Sequence, residues 1–149
     1  MSDTAPRRPE EMPAQSEFAK LAGIEMVEVS PDHVVCSMKV TQELTNRNGA
    51  LHGGAVMTLA DNVAGTIAFV NIPAERSNTT IEAKTNFLRG VLVGDTVRAT
   101  GVPLHRGSTT MVLQITMTRG DGKTVAVSTQ THLILDWNGS GSHRRKENT

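Results

Sequence analysis

Asn46-Arg47-Asn48-Gly49-Ala50-Leu51-His52-Gly53-Gly54 runs directly into Ala55 to Val70, a stretch of helical character whose one charged residue is Asp61. The first part is polar, rich in Asn and Gly, and too poor in apolar periodicity for a strand, so it reads as an ordered loop leading to a helix start. The second part predicts a helix over roughly Gly54 to Val70. Apolar residues from Ala55 to Phe69 cover most of its circumference, the pattern of a helix buried nearly all round, and a sheet must wrap it. A carboxylate inside such a helix is costly unless it is paired or used for chemistry. Asp61 is therefore the first candidate for function.

The rest of the chain supplies the sheet. Ile24 to Ser30 and His33 to Val40 predict a hairpin around Pro31-Asp32, the second strand alternating through Val34, Cys36, Met38 and Val40. Four further strands are predicted over Thr79 to Leu88, Thr96 to Leu104, Thr109 to Thr118 and Thr124 to Leu135, with glycine-bearing turns between the last three. No helices separate them, so the strands are antiparallel and the fold class is α+β. Ser16 to Ala22 predicts a short helix that presents Phe18 and Leu21 on one face and packs at a sheet edge.

With 149 residues the chain suits one domain, residues 16–137, between a proline-rich leader (1–15) and a polar tail (138–149), both expected to be disordered. Fifteen basic residues balance fifteen acidic ones, so no global field draws the protein to nucleic acid or an anionic membrane. No run of uninterrupted apolar residues reaches membrane-spanning length, and the leader lacks the apolar core of an export signal. The single cysteine, Cys36, cannot form an internal disulfide, and a cytoplasmic location is expected. His33, His105 and His132 stand apart from one another and from other ligands, so no metal site is predicted.

The run Asn46-x-x-Gly49-x-x-His52-Gly53-Gly54-x-x-x-x-Leu59-Ala60-Asp61 resembles the signature of the phenylacetyl-CoA thioesterase-like (PaaI-like) branch of hotdog acyl-CoA thioesterases. Phe87-Leu88-Arg89 and the Gly94-Asp95 that opens the next strand are similar to that family as well, and the likeness extends from about Phe18 to Leu135. It implies a hotdog fold, in which one long central helix is wrapped by a curved antiparallel sheet of five to six strands. It also implies hydrolysis of an acyl-CoA thioester to a carboxylic acid and coenzyme A, with no cofactor beyond the coenzyme A of the substrate.

That reaction needs a positive site for a developing oxyanion and a carboxylate that attacks the carbonyl or activates water. The resemblance assigns the oxyanion donor to the Gly53 N–H, with Gly54 as second choice, and Asp61 as nucleophile or general base. His52 then either orients the loop or hydrogen-bonds near the thioester, or is purely structural. Asn46 reads by resemblance as a polar contact to the thioester or the water, against the plainer reading of a turn residue. Thr80 falls where the resemblance places a hydroxyl that helps hold the water, against that of an ordinary strand threonine. Arg89 and then Arg106 are the candidates for coenzyme A phosphates. Here the chain departs from the family, with Gly90 where Pro commonly follows the arginine and Ser108 where a Lys often follows the glycine.

Seven residues separate Gly54 from Asp61, roughly 10 Å along a helix axis, further than one carbonyl group bridges. Two antiparallel helices related by a two-fold axis bring Asp61 of one chain beside the Gly53 helix start of the other, so a homodimer is expected, with a tetramer of two dimers common in the family. Small helix residues (Ala60, Ala64, Gly65, Ala68) leave room beside Asp61 for an aliphatic or modest aryl acyl group. The alternatives are a hotdog sensor that binds acyl-CoA without hydrolysis, whose like would lose the carboxylate, and a hotdog dehydratase, which needs a histidine placed to move a proton on the acyl chain.

Overall fold

The computed structural model describes residues 9–136; the tail and the first eight leader residues lie outside them. Six strands form one antiparallel sheet: β1 (Ile24–Val29), β2 (Val34–Lys39), β3 (Arg76–Phe87), β4 (Thr96–Arg106), β5 (Thr110–Thr118) and β6 (Thr124–Asp136), in the spatial order β1-β2-β4-β5-β6-β3. The helix α2 (Gly53–Val70) lies in the concave face, touching every strand of the sheet. This is the hotdog arrangement.

Alternation builds the core. Val34, Cys36 and Met38 of β2, Val97 and Ala99 of β4, and Met111, Leu113, Ile115 and Met117 of β5 point inward and are buried. They meet Val56, Leu59, Ala60, Val63, Ala64, Ile67 and Ala68 of α2. At the centre of β4 stands Gly101, where a Cβ would lie 2.5 Å from Ile67 Cδ1 and 2.6 Å from Val63 Cγ1. Only a residue without a side chain lets the helix sit this close to the sheet. Burial among these hydrophobes pushes the Cys36 thiol up to about 11, opposed by the Asn62 side chain, so the thiol stays protonated and acts as a small hydrophobe.

Mean hydropathy over the 18 residues of α2 is 1.3, enough by length and composition for a membrane span. Half of that window is buried inside the fold, and enclosure by the sheet accounts for the apolar character.

Two expectations are corrected. The helix is not covered all round: Gly54, Met57 and Asp61, spaced three and four apart on one face, form an exposed stripe that the sheet leaves open. Nor does the short helix α1 (Glu17–Leu21) pack through Phe18 and Leu21, which are 63% and 84% exposed. Ser16 caps it by accepting from the Ala19 N–H at 3.1 Å, and this start turns the small face, Ala19 and Ala22, onto the core. Of the leader, Pro9–Glu11 forms a 3-10 turn, and residues 12–15 then lie along α2 beside Gly65 and Phe69.

β3 is the outer edge beyond β6, twelve residues long and largely exposed, with Ile81 at a register shift between Thr80 and Glu82. Its row of backbone groups on the open side has no neighbouring strand among the described residues. Long unpaired edges of this kind are rare unless something covers them.

Candidate active site

The loop before α2 holds its own shape. The Asn46 side-chain oxygen accepts from the N–H groups of Asn48 (2.9 Å) and Ala50 (3.2 Å), and the Gly49 N–H donates to the Asn46 carbonyl at 3.1 Å. Gly49 sits at φ +79°, a left-handed turn position that favours glycine. Asn46 therefore does the work of a turn residue, while still lining a hollow in front of Gly53.

Helix α2 begins one residue earlier than its apolar pattern indicates, because His52 is its cap. His52 Nδ1 accepts the Gly54 N–H at 2.8 Å, and its carbonyl accepts from Ala55 (2.9 Å) and Val56 (3.2 Å). A neutral ring that accepts at Nδ1 carries its proton on Nε2. The Gly54 N–H is thereby occupied and does not serve an oxyanion. The Gly53 N–H makes no hydrogen bond among the described residues and lies at the positive end of the helix. Beside it the Phe87 ring packs so closely that a Cβ on Gly53 would come within 3.3 Å of Phe87 Cε1.

Asp61 is exposed on the open stripe of α2 and is held by a polar chain from the sheet. The Thr80 hydroxyl donates to Asp61 Oδ1 at 2.8 Å and lies 3.2 Å from His132 Nε2. His132 Nε2 also lies 3.1 Å from Gln130 Oε1, and its Nδ1 is 2.9 Å from the Asn78 carboxamide. Because the single Thr80 proton is spent on Asp61, the contact with His132 requires an Nε2–H donor, and the Asn78 carboxamide then has to turn its N–H rather than Oδ1 toward the Nδ1 of the neutral ring. One Asp61 oxygen is thus oriented and the other is left for substrate or water.

His132 is wholly buried, and the loss of solvation lowers its pKa, an effect that the nearby Asp61 charge opposes. Above the ordinary value of about 6.5 the ring is neutral in both folded and unfolded chains; below it the unfolded chain binds a proton that the folded chain resists. Stability from this group is therefore full above pH 6.5 and is lost as pH falls toward the depressed folded value. Thermal midpoints measured from pH 7.5 to 5 are expected to fall on acidification, and to fall less steeply in His132→Gln.

The structure divides the expected residues between two hollows. Asn46, Gly53, Phe87 and Arg89 line one of about 410 Å³. Asp61 lines another of about 350 Å³ with Gly54, Met57, Thr58 and Gln130. Gly53 and Asp61 are eight residues apart, about 12 Å along the axis, and neither of these two hollows is lined by both. Arg89 Nη1 donates to the Thr124 carbonyl at 2.8 Å. Arg106 stands elsewhere, paired with Asp32 at 2.7 Å across the β1–β2 turn. Of the small helix residues, Ala60, Ala64 and Ala68 are buried against the sheet, and Gly65 alone lines a hollow with Asp61. Among the described residues no group of three or more His, Cys, Asp or Glu side chains is arranged to hold a metal.

Sequence reasoning missed His132, Gln130 and Asn78 as parts of this site. A signal existed: Ser128, Gln130 and His132 alternate with Thr129 and Thr131 on β6, and all three point inward and are buried, where Ala126 and Ile134 continue the same row.

Residues 48–126 match the sequence model of the Thioesterase superfamily. The acyl-coenzyme A thioesterase PaaI of Escherichia coli is 34% identical over 110 residues, covering 73% of this chain and 76% of that protein. Human acyl-coenzyme A thioesterase 13 is 30% identical over 111 residues, covering 73% and 79%. The solved structure of the E. coli PaaI protein superposes with a TM-score of 0.74 at 27% identity, over 79% of this chain and 83% of that one.

Proposed function

This chain belongs to the Thioesterase superfamily, in its PaaI-like hotdog branch, and is a thioester hydrolase; from that premise we propose that it cleaves acyl-coenzyme A at two equivalent sites shared across a homodimer. The observation that carries the reading is the split site: an unpaired amide at the start of α2 and an oriented carboxylate about 12 Å further on, facing away from the chain's own core. Among the described residues of a single chain, neither element meets its chemical partner. A two-fold axis perpendicular to α2, which sets the two helices antiparallel, supplies each with the other.

The open edge of β3 supports the same pairing. Extending the sheet edge to edge with a second copy satisfies its backbone groups and covers Ile81 (57% exposed) and Phe87 (52% exposed). Met57, on the stripe of α2, would pack in the same seam.

In the shared site, the partner's Gly53 N–H donates a hydrogen bond to the thioester oxygen as it becomes an oxyanion. Asp61 either takes a proton from a water that attacks the carbonyl carbon, or attacks it directly to give an anhydride that water then opens. Both routes break the carbon–sulfur bond, place the acyl group on a water oxygen and return a proton to the coenzyme A sulfur. Thr80 and His132 are positioning residues that fix which oxygen of Asp61 faces the thioester. Arg89, at the rim of the Gly53 hollow, is placed to meet coenzyme A phosphates, whereas Arg106 is already committed to Asp32. The protein then needs no cofactor besides the coenzyme A that arrives with the substrate.

The test is release of free thiol from short, medium, long and aryl acyl-coenzyme A thioesters under steady state. Turnover with at least one class is expected, and absence of turnover with all of them overturns the reading.

A further inference from the structure

Past Asp61 the open face of α2 runs on into a further hollow, of about 300 Å³, which the chemistry above leaves unused. Ser16 and Asp61 border both this hollow and the one that holds Gln130, so the two adjoin at the carboxylate. On one side its wall is Gly65 and Phe69 of α2 with Met26 of β1, and on the other it is the leader, through Met12, Pro13 and Ala14. A Cβ built on Gly65 meets nothing within 4 Å, so the helix itself leaves this space open. β1 and β3 are the opposite edges of the sheet. A second copy docked on β3 therefore leaves this flank of α2, and the leader upon it, to their own chain.

One end of the leader is fixed at Ser16, the cap of α1. Gln15, the next residue outward, buries its Nε2 with no acceptor among the described residues. Native interiors rarely leave a donor unanswered, and a wall that does so is sealed less firmly than a fully paired one. Resting on the acyl-CoA reading above, we infer that the acyl chain runs from Asp61 into this hollow, and that residues 12–15 are a strap over it that sets the longest chain the enzyme takes. Asp61 and Phe69 are eight residues apart, about 12 Å along the helix axis. With C–C bonds of about 1.5 Å, each carbon advances an extended chain by roughly 1.25 Å, so about ten carbons fill that length. A longer chain has to push the strap aside, and a much shorter one leaves the apolar wall uncovered.

The experiment measures kcat/KM of the full chain for butyryl-, decanoyl-, palmitoyl- and benzoyl-coenzyme A. Decanoyl is expected to exceed palmitoyl by about tenfold or more, the scale on which an apolar pocket rejects methylenes it cannot house. Met12→Gly, Pro13→Ser, Ala14→Gly and Gln15→Ser made together strip the strap of its apolar surface, and the palmitoyl-to-decanoyl ratio is expected to rise by about fivefold or more. Gly65→Leu fills the hollow from the helix side, and the decanoyl-to-butyryl ratio is expected to fall by about tenfold. Residues 12–15 belong to no helix or strand, so the leader variant keeps the fold and decides the matter even where Gly65→Leu folds poorly. Palmitoyl cleaved as fast as decanoyl by the unaltered chain, turnover confined to benzoyl, or a ratio that the leader variant or a folded Gly65→Leu leaves unchanged overturns the inference while leaving the hydrolase reading intact. If none of the thioesters is cleaved, the hydrolase reading fails and this inference falls with it.

Discussion

Asp61→Asn is expected to reduce kcat by about 1,000-fold, the usual loss when a general base or carboxylate nucleophile is removed, with little change in KM. The amide keeps the shape of the side chain and can still meet the Thr80 hydroxyl, which donates to Asp61 Oδ1 at 2.8 Å. Asp61 is exposed on α2 in the single chain and makes no part of the core, so folding and dimerisation survive the change. Circular dichroism and sedimentation check those two, and thiol release checks the rate. Retained activity would remove Asp61 from the chemistry.

The second large effect falls on a backbone group. Gly53→Pro deletes the one N–H that the reading gives to the oxyanion, and a loss of about 100- to 1,000-fold in kcat is expected, as for removal of a single oxyanion donor. Position matters here. Gly53 is the first helical residue after the cap, where proline is well tolerated, and the preceding His52 already has an extended backbone at φ −62° and ψ 135°. Contact with Phe87 is the remaining obstacle, and its half-exposed ring can turn aside. Gly53→Ala is the control, because it makes the same contact while keeping the N–H. A proline variant as active as the alanine variant would show that this amide is idle.

Those two positions were legible in the sequence because each breaks a local rule: one charge in an apolar helix, and paired glycines where the helix starts. Strand positions were legible from alternation, and the turns of β4, β5 and β6 from their glycines. The polar row Ser128, Gln130, His132 was not, since a threonine-rich strand alternates polar residues on both faces and only the fold reveals which face is buried. The cap escaped for another reason. Histidine is an unusual N-cap, and whether its Nδ1 turns back onto Gly54 depends on a side-chain rotamer. The overestimated coverage of α2 and the misread face of α1 share a cause: apolar residues that periodicity assigns to the core, Phe18, Leu21 and Met57, are exposed here. Arg106 read as a phosphate contact because its hairpin position fitted, yet the fold sets Asp32 against it from a turn 74 residues away.

The shared site itself is tested most directly by mixing chains. If the unit is the proposed homodimer, Asp61→Asn and Gly53→Pro are each expected to be nearly inactive alone, and after denaturation and joint refolding half of the assemblies are expected to be mixed dimers under random pairing. Each mixed dimer has one site with both defects and one with neither, so the mixture should recover about a quarter of wild-type activity. Activity that stays at the level of the separate variants, with mixed dimers verified by differential tagging, would contradict a site built from two chains.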